Sequence, residues 1–423
     1  MVFFNTCRIS SKLCGNIIVV ANKQSSNALA GVVNQRGISS KAVRQQQPAE
    51  PKPAPFPYKE KRYNFFRAIF DSTTSRLDEN SKLIVVEGPP AAGKGAVAKE
   101  LAEELDMAYF SAPTQAETYV NSYGFDLRTL NDELPETCRS YDETDFLKDP
   151  TKFHGTMAAR FQLSKLYLRY HRYLEALAHI LNTGQGVVMD RSPYSDIVYI
   201  NAMFEQGIIN KNMLNYYHKV RNNSFFALWR PHLVVYLDVP VAEQRRRIEA
   251  RNRPHEKDSK ATTPAYLQSL ENSYKQDFLK DISSHAEVLI YDWSKSGDAE
   301  IIVEDIERLD IDKYGAYDTK MKDWRCYDKW DWNNNRQRFT HDQEFLLAYM
   351  NVPASTLCPE IMIPGGDVTL TGLGVGVLVA DLVKQHYHPS WKHCVNGVLV
   401  IPTEGDLGSI WQVPSSSSSS WSG

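Results

Sequence analysis

The sequence predicts an α/β fold, a parallel sheet with helices on both faces, on three observations. Short apolar runs at Leu83–Glu87, Ala108–Phe110, Val187–Met189, Leu233–Val239 and Val288–Tyr291 have the length and composition of strands buried inside a sheet. Helical spacing recurs between them, at Ala96–Leu105, Thr156–Leu181, Val241–Arg251, Tyr266–Phe278 and Glu300–Arg308, and such alternation implies parallel strands joined by crossover helices. Between the first strand and the first helix, residues 88–95 read Gly-Pro-Pro-Ala-Ala-Gly-Lys-Gly, a phosphate-binding loop in the strand-loop-helix context that such a loop needs. The expected class is therefore P-loop NTPase-like.

Taken in order, the chain opens on a segment without a single Asp or Glu from Met1 to Ala49, in which Arg8, Lys12, Lys23, Arg36, Lys41 and Arg44 are basic. That profile fits a mitochondrial transit peptide over residues 1–38, cut near Arg36–Ser40. Loss of Arg8, Lys12, Lys23 and Arg36 would take the formal charge from −3 to −7, which argues against a nucleic-acid partner. Residues 39–62 hold Pro48, Pro51, Pro53, Pro55 and Pro57 and read as a stiff linker, so the folded domain is expected over 63–312. Within it, Gln115–Pro150 is polar and irregular, an insertion expected over the site. Thr156–Leu181 carries Phe161, Leu166, Tyr170, Leu174, Leu177 and Leu181 at mostly three and four residue steps, a long buried helix ended by Asn182–Gly186.

With 42% hydrophobic and 23% charged residues, the chain can bury a full-sized core. No stretch reaches the length of a membrane span; the nearest, Leu373–Leu382, is short and carries Asp381, so membrane association is expected to come through partners. Cys7, Cys14, Cys138, Cys326, Cys358 and Cys394 are scattered without C-x-x-C pairing, which suggests neither a zinc site nor an iron–sulfur cluster.

The phosphate loop lacks one part. In G-x-x-x-x-G-K followed by Ser or Thr, backbone N–H groups and the lysine cradle phosphates while the hydroxyl holds magnesium. Gly95 and Ala96 offer no hydroxyl after Lys94. A second polar segment, Asp190-Arg191-Ser192-Pro193-Tyr194-Ser195-Asp196, follows the third strand at the carboxyl edge of the sheet, where open α/β folds place ligands. A third, Arg245-Arg246-Arg247 with Arg251 and Arg253, is either a phosphate-closing lid or a solvated helix face neutralised by Glu243, Glu249 and Glu256.

Together these three segments resemble the deoxynucleoside kinase family, whose second motif usually begins Glu-Arg-Ser and whose fold is the expectation here. Adenylate-kinase-like enzymes share Gly-Pro-Pro and Gly-Lys-Gly, but Ala91 and Ala96 break their pattern. Over Tyr58–Asp312 the chain also resembles the nucleoside-kinase-like accessory subunits of mitochondrial respiratory complex I. That likeness rests on Gly184-Gln185-Gly186-Val187-Val188, Tyr194-Ser195-Asp196, residues 231–240 (Pro-His-Leu-Val-Val-Tyr-Leu-Asp-Val-Pro), Pro254-His255-Glu256 and Val303-Glu304-Asp305-Ile306-Glu307. It implies a non-catalytic, assembly or stability role beside other complex I subunits, peripheral to the inner membrane on the matrix side and without a membrane span of its own. It also implies a degenerate site for a purine nucleotide or nucleoside. That site would comprise Gly88, Gly93, Lys94, Gly95, Asp190, Arg191, Arg247, Arg251 and Arg253, with no catalytic and no metal-ligating residue. A FAD is attributed to that family, and nothing in these residues supports one.

The kinases carry a Glu-Pro pair after the second strand, the glutamate accepting the proton of the sugar hydroxyl; Ala112-Pro113 stands in its place, with Glu117 five residues on. A positioned general base is worth roughly 100 to 10,000-fold in rate. The alternative remains an active mitochondrial deoxynucleoside kinase that transfers phosphate from ATP to a nucleoside. Past the kinase-like region, residues 313–368 form an extension rich in Trp324, Tyr327, Trp330, Trp332 and Phe339, destined either for a partner or for the domain itself. Residues 369–423, with a serine run at Ser415–Ser420, are expected to be an atypical disordered tail.

Overall fold

The computed structural model describes residues 18–20, 37–46, 52–120 and 124–362. Its centre is a six-stranded, all-parallel sheet in the order β1-β6-β5-β2-β4-β3. The strands are β1 (Ile18–Val20), β2 (Leu83–Glu87), β3 (Ala108–Phe110), β4 (Val187–Asp190), β5 (Leu233–Asp238) and β6 (Glu287–Asp292). From β2 the chain builds β3 and β4 on one side, then crosses to build β5 and β6 on the other. The crevice at the carboxyl ends of β2, β4 and β5 is thus the switch point at which such sheets bind ligands.

Side chains of β2 alternate between two cores. Leu83 and Val85 join the larger one, under a 28-residue helix α2 (Thr156–Thr183); Ile84 and Val86 join the other, under α1 (Lys94–Glu104) and α7 (Ala299–Glu307). Helices on both faces bury β2 and β5 fully, which is why both read as unbroken apolar runs. Between β4 and β5 lie α3 (Ile197–Glu205) and α4 (Lys211–Phe225), and after β5 come α5 (Val241–Arg251) and α6 (Pro264–Ser273). The helix expected over Tyr266–Phe278 starts at Pro264 and passes at Tyr274–Phe278 into a π-helical turn that periodicity does not reveal. Gly184 stops α2 at φ +78°, and an added Cβ would lie 2.2 Å from the Arg76 carbonyl oxygen.

Packing reaches further toward the N-terminus than the linker reading expects. Ile38 is buried in the core beneath α7, and the Ser40 N–H donates to Glu307 Oε1 at 2.7 Å. Phe56 is buried against Tyr63, and its N–H donates to the Asn182 carbonyl at 3.0 Å. Single apolar residues among prolines carry no period, so nothing in the sequence marks them as core. β1 pairs with Leu289–Tyr291 at the sheet edge although it lies inside the segment expected as a transit peptide.

The aromatic extension packs partly on the domain itself. Trp324 packs on His232 at 3.9 Å and on Trp229 at 4.8 Å, and Phe339 of α8 (Lys329–His341) is fully buried against α2. Tyr327 and Trp330 face solvent. The tail expected over 369–423 lies outside the described residues. No helix among the described residues is long and apolar enough to cross a membrane.

Candidate nucleotide-binding site

β2 delivers Glu87 to the sheet's carboxyl edge, and the loop 88–93 turns from there into α1. Gly88 takes φ +153°, and a Cβ would stand 2.8 Å from the Leu237 carbonyl oxygen, so only glycine fits beside β5. Gly93 caps α1 at φ +84°. Ala91 is held at φ +61°, a left-handed conformation costing about 1–2 kcal/mol for a residue with a Cβ. The loop keeps its phosphate-binding course despite that substitution.

Lys94 folds back over the loop and donates from Nζ to the Pro89 carbonyl at 2.8 Å. Burial, reinforced by the Arg191 guanidinium, lowers its ammonium to about 7, while Asp190 and Glu87 pull the other way. A Cβ on Gly95 would lie 3.1 Å from Asp190 Oδ2 and 3.5 Å from the Tyr109 hydroxyl. The space of the missing hydroxyl is therefore bordered by a carboxylate and a phenol. Asp190 Oδ1 and Glu87 Oε2 are buried without a hydrogen-bond partner. Burial raises the Glu87 pKa against the pull of Arg191 and of Ser192, whose N–H and Oγ donate to Oε1 at 2.8 and 2.9 Å.

Arg191 adopts φ +68°, another strained position, and its N–H donates to the Val86 carbonyl at 3.1 Å. Its guanidinium donates to the Tyr274 hydroxyl at 3.1 Å and stacks 4.3 Å over the Tyr199 ring, with Nε unpartnered. The π-helical turn at Tyr274 is what carries that hydroxyl to Arg191.

Beside this lies a buried cluster that the sequence reading missed. Asp196 is fully buried; Oδ2 accepts from Gln162 Nε2 at 2.7 Å and from the Tyr217 hydroxyl at 3.1 Å, and Oδ1 pairs with Arg169. Gln162 and Arg169 are seven residues apart on α2 and so share one face, the available signal being two polar residues inside an otherwise apolar stripe.

The structure thus brings Gly88, Gly93, Lys94, Gly95, Asp190 and Arg191 together at one edge and leaves the expected lid apart. Arg247 donates to Glu243 at 2.7 Å and to the Trp293 and Ser294 carbonyls, and Arg251 is bidentate to Glu256. Arg245 and Arg246 pair with Glu249 and Glu243, and Arg253 is exposed on the loop after α5. These pairs must open before the helix could grip phosphate. Glu117 is committed elsewhere: Oε1 accepts from the Thr114 N–H at 3.0 Å and Oε2 pairs with Arg172 at 2.7 Å. Position 95 offers no hydroxyl to a magnesium ion, while Asp190 and Glu87 each keep an unpartnered carboxylate oxygen at the same edge. The edge therefore sets Lys94 and Arg191 beside two carboxylates, Glu87 and Asp190, around a glycine loop that opens a helix.

The family profile described as deoxynucleoside kinase matches residues 84–316, more than half of the chain. The chain belongs to the deoxynucleoside kinase family. Within it, the chain is 37% identical over 303 residues to NADH dehydrogenase (ubiquinone) 1 alpha subcomplex subunit 10, mitochondrial, of Mus musculus, covering 71% of this chain and 80% of that protein. The Bos taurus protein of the same description is 36% identical over 300 residues, covering 69% of this chain and 80% of its own length. Deoxyguanosine kinase of Dictyostelium discoideum is 28% identical over 236 residues, covering 56% of this chain and 72% of the enzyme. This deoxynucleoside kinase family member therefore stands nearer to the respiratory-chain subunits than to that enzyme, in both identity and extent.

Proposed function

We propose that this chain is a non-catalytic accessory subunit of mitochondrial respiratory complex I, peripheral to the inner membrane, whose kinase cleft holds a purine nucleotide or nucleoside without transferring phosphate. The observation that carries the reading is the likeness to subunit 10 across 80% of that subunit's length. The site agrees with it. Gly95 removes the hydroxyl that would hold magnesium, Ala112 stands where the kinases place a proton acceptor, and Glu117 is tied to Arg172. Both differences weigh against phosphoryl transfer, while Lys94 and Arg191 stay at the loop where they could meet an anion.

Resolving mitochondrial membranes on a native gel tests the assignment. The protein is expected to co-migrate with intact complex I, and a population found only as a free species overturns it.

A second reading, an active deoxynucleoside kinase, draws on the retained buried set of Gln162, Arg169, Asp196 and Tyr217 beside the loop. Purified protein incubated with ATP, magnesium and each natural nucleoside distinguishes the two. Phosphorylated product at rates near 1 per second would support the kinase, since typical enzymes of this chemistry work at about 1–100 per second.

A further inference from the structure

A six-residue helix at Phe65–Phe70 is turned inside out. Only Ala68 is buried, while Phe65, Phe66, Ile69 and Phe70 project into solvent, Phe66 at 74% and Phe70 at 90% exposure. Trp330, from the start of α8, stacks on Phe65 with centroids 5.5 Å apart and planes 11° from parallel, and Tyr327 stands fully exposed nearby in sequence. Isolated exposed apolar residues need no explanation, but a continuous ridge built from two distant chain segments does.

The ridge is held in place by a rigid frame. Asn333 donates to the Ala68 carbonyl at 3.2 Å, the Tyr63 N–H donates to His341 Nε2 at 2.7 Å, and the Asn64 side chain caps the short helix. Behind it, the fully buried Arg336 lies 3.8 Å from the Tyr63 ring centroid and pairs with Asp71 at 3.2 Å. The aromatic side chains could turn inward only by dismantling this frame, so their exposure belongs to the folded state.

The exposed residues that flank the ridge in the chain are mostly cationic. Lys59, Lys61, Arg62, Arg67 and Lys329 are all exposed, against Glu60 and an Asp328 already used to cap α8. This occurs on a chain whose formal net charge is −3, so the face opposes the whole in sign. Exposed Phe, Ile, Trp and Tyr side chains, with Lys and Arg flanking them in the chain, match the headgroup region of an anionic bilayer. Aromatic rings settle at that depth, and basic side chains meet the lipid charge.

We infer that this ridge is a direct docking surface for an anionic lipid membrane. It gives the protein a membrane contact of its own, beyond any through partner subunits, and it stands independently of the nucleotide cleft.

Co-sedimentation of the full chain with vesicles tests this, using phosphatidylcholine alone or phosphatidylcholine with roughly a third phosphatidylglycerol. The protein is expected to pellet with the anionic vesicles, and to release at high salt. Phe66→Ser with Phe70→Ser should lower the partition coefficient by about 100-fold, given the apolar burial lost. Lys59→Glu, Lys61→Glu and Arg62→Glu together should lower it by a similar factor and erase the preference for anionic lipid. Thermal melts matching the parent establish that both variants are folded. All variants keep the basic N-terminal segment, so parent-like binding by them would place the contact there and overturn the assignment. Failure of the parent to pellet overturns it too. So does loss of co-migration with complex I in the phenylalanine variant while its vesicle binding stays intact, which would make the ridge a protein-docking surface.

Discussion

Binding of a phosphate at the loop should draw a proton onto Lys94, and the linkage is large enough to measure. In the free chain burial and Arg191 lower this ammonium to about 7. About a tenth of the molecules then carry charge there near pH 8. A phosphate seated in the cradle puts negative charge against Nζ and returns the group toward its ordinary 10.5, so binding near pH 8 takes up about 0.9 proton and near pH 7 about half of one. The sign follows: the complex holds more protons than the free chain, so affinity falls as pH rises. Between about pH 7 and 10 the dissociation constant should climb by up to tenfold per unit. Titration calorimetry with ADP in buffers of different ionisation heat, above about pH 7.5 where the nucleotide phosphate is itself ionised, reads the proton count as a slope. Lys94→Met should abolish the uptake and weaken binding. A dissociation constant that stays flat across this range, with binding intact, would show that Lys94 is charged in the free chain or does not meet the phosphate, and the cradle as drawn would be wrong.

Three other outcomes are expected. Gly95→Ser alone and Ala112→Glu alone should leave nucleoside phosphorylation at background, and the two together should raise it at least about 100-fold in a radiolabel-transfer assay, because each restores a different missing part. Arg336→Ala should lower the unfolding free energy by about 3 kcal/mol in urea melts; the value is at the low end for a broken buried pair because Asp71 keeps Arg76. His232 Nδ1 accepts from the Leu83 N–H at 2.9 Å, and burial holds its pKa well below the usual value. The unfolded chain therefore binds the extra proton first. Stability present above about pH 6.5 should decline as pH falls, and His232→Asn, which keeps an acceptor, should flatten that slope.

Much of the fold was legible because β2, β4, β5 and β6 are short, apolar except at their ends, and separated by helical spacing; only a buried parallel sheet accounts for both at once. The loop was legible because backbone geometry leaves glycine no substitute at Gly88. Elsewhere the decisive contacts have no local signature. Ile38 is buried against residues far along the chain, Phe56 sits among prolines with no periodic pattern, and the π-helical turn that aims Tyr274 at Arg191 leaves the apolar period intact. The arginines of α5 illustrate a different limit. Their number suggests a lid and the carboxylates at Glu243, Glu249 and Glu256 suggest neutralisation; in the fold they pair with those three. Gln162 and Arg169 stayed hidden because a helix stripe tolerates two polar members when a buried carboxylate waits opposite, and Asp196 reaches that place only through the fold.

The pattern of what has been lost follows from where each part sits. Arg169, Asp196, Gln162 and Tyr217 form one desolvated network, and removing either Arg169 or Asp196 strands the other as a buried charge at a cost of about 3–5 kcal/mol. A comparable fraction of a domain's whole stability would go with it. Gly95 and Ala112 are different: both lie at the rim, half-buried, and neither supports the packing of a helix or strand against the core. Substitution there removes chemistry and leaves the fold alone. The Asp196 network accounts for a stable cleft whether or not phosphoryl transfer takes place beside it. Only the double restoration at positions 95 and 112 separates a pocket retained for binding from one retained because the fold cannot spare it.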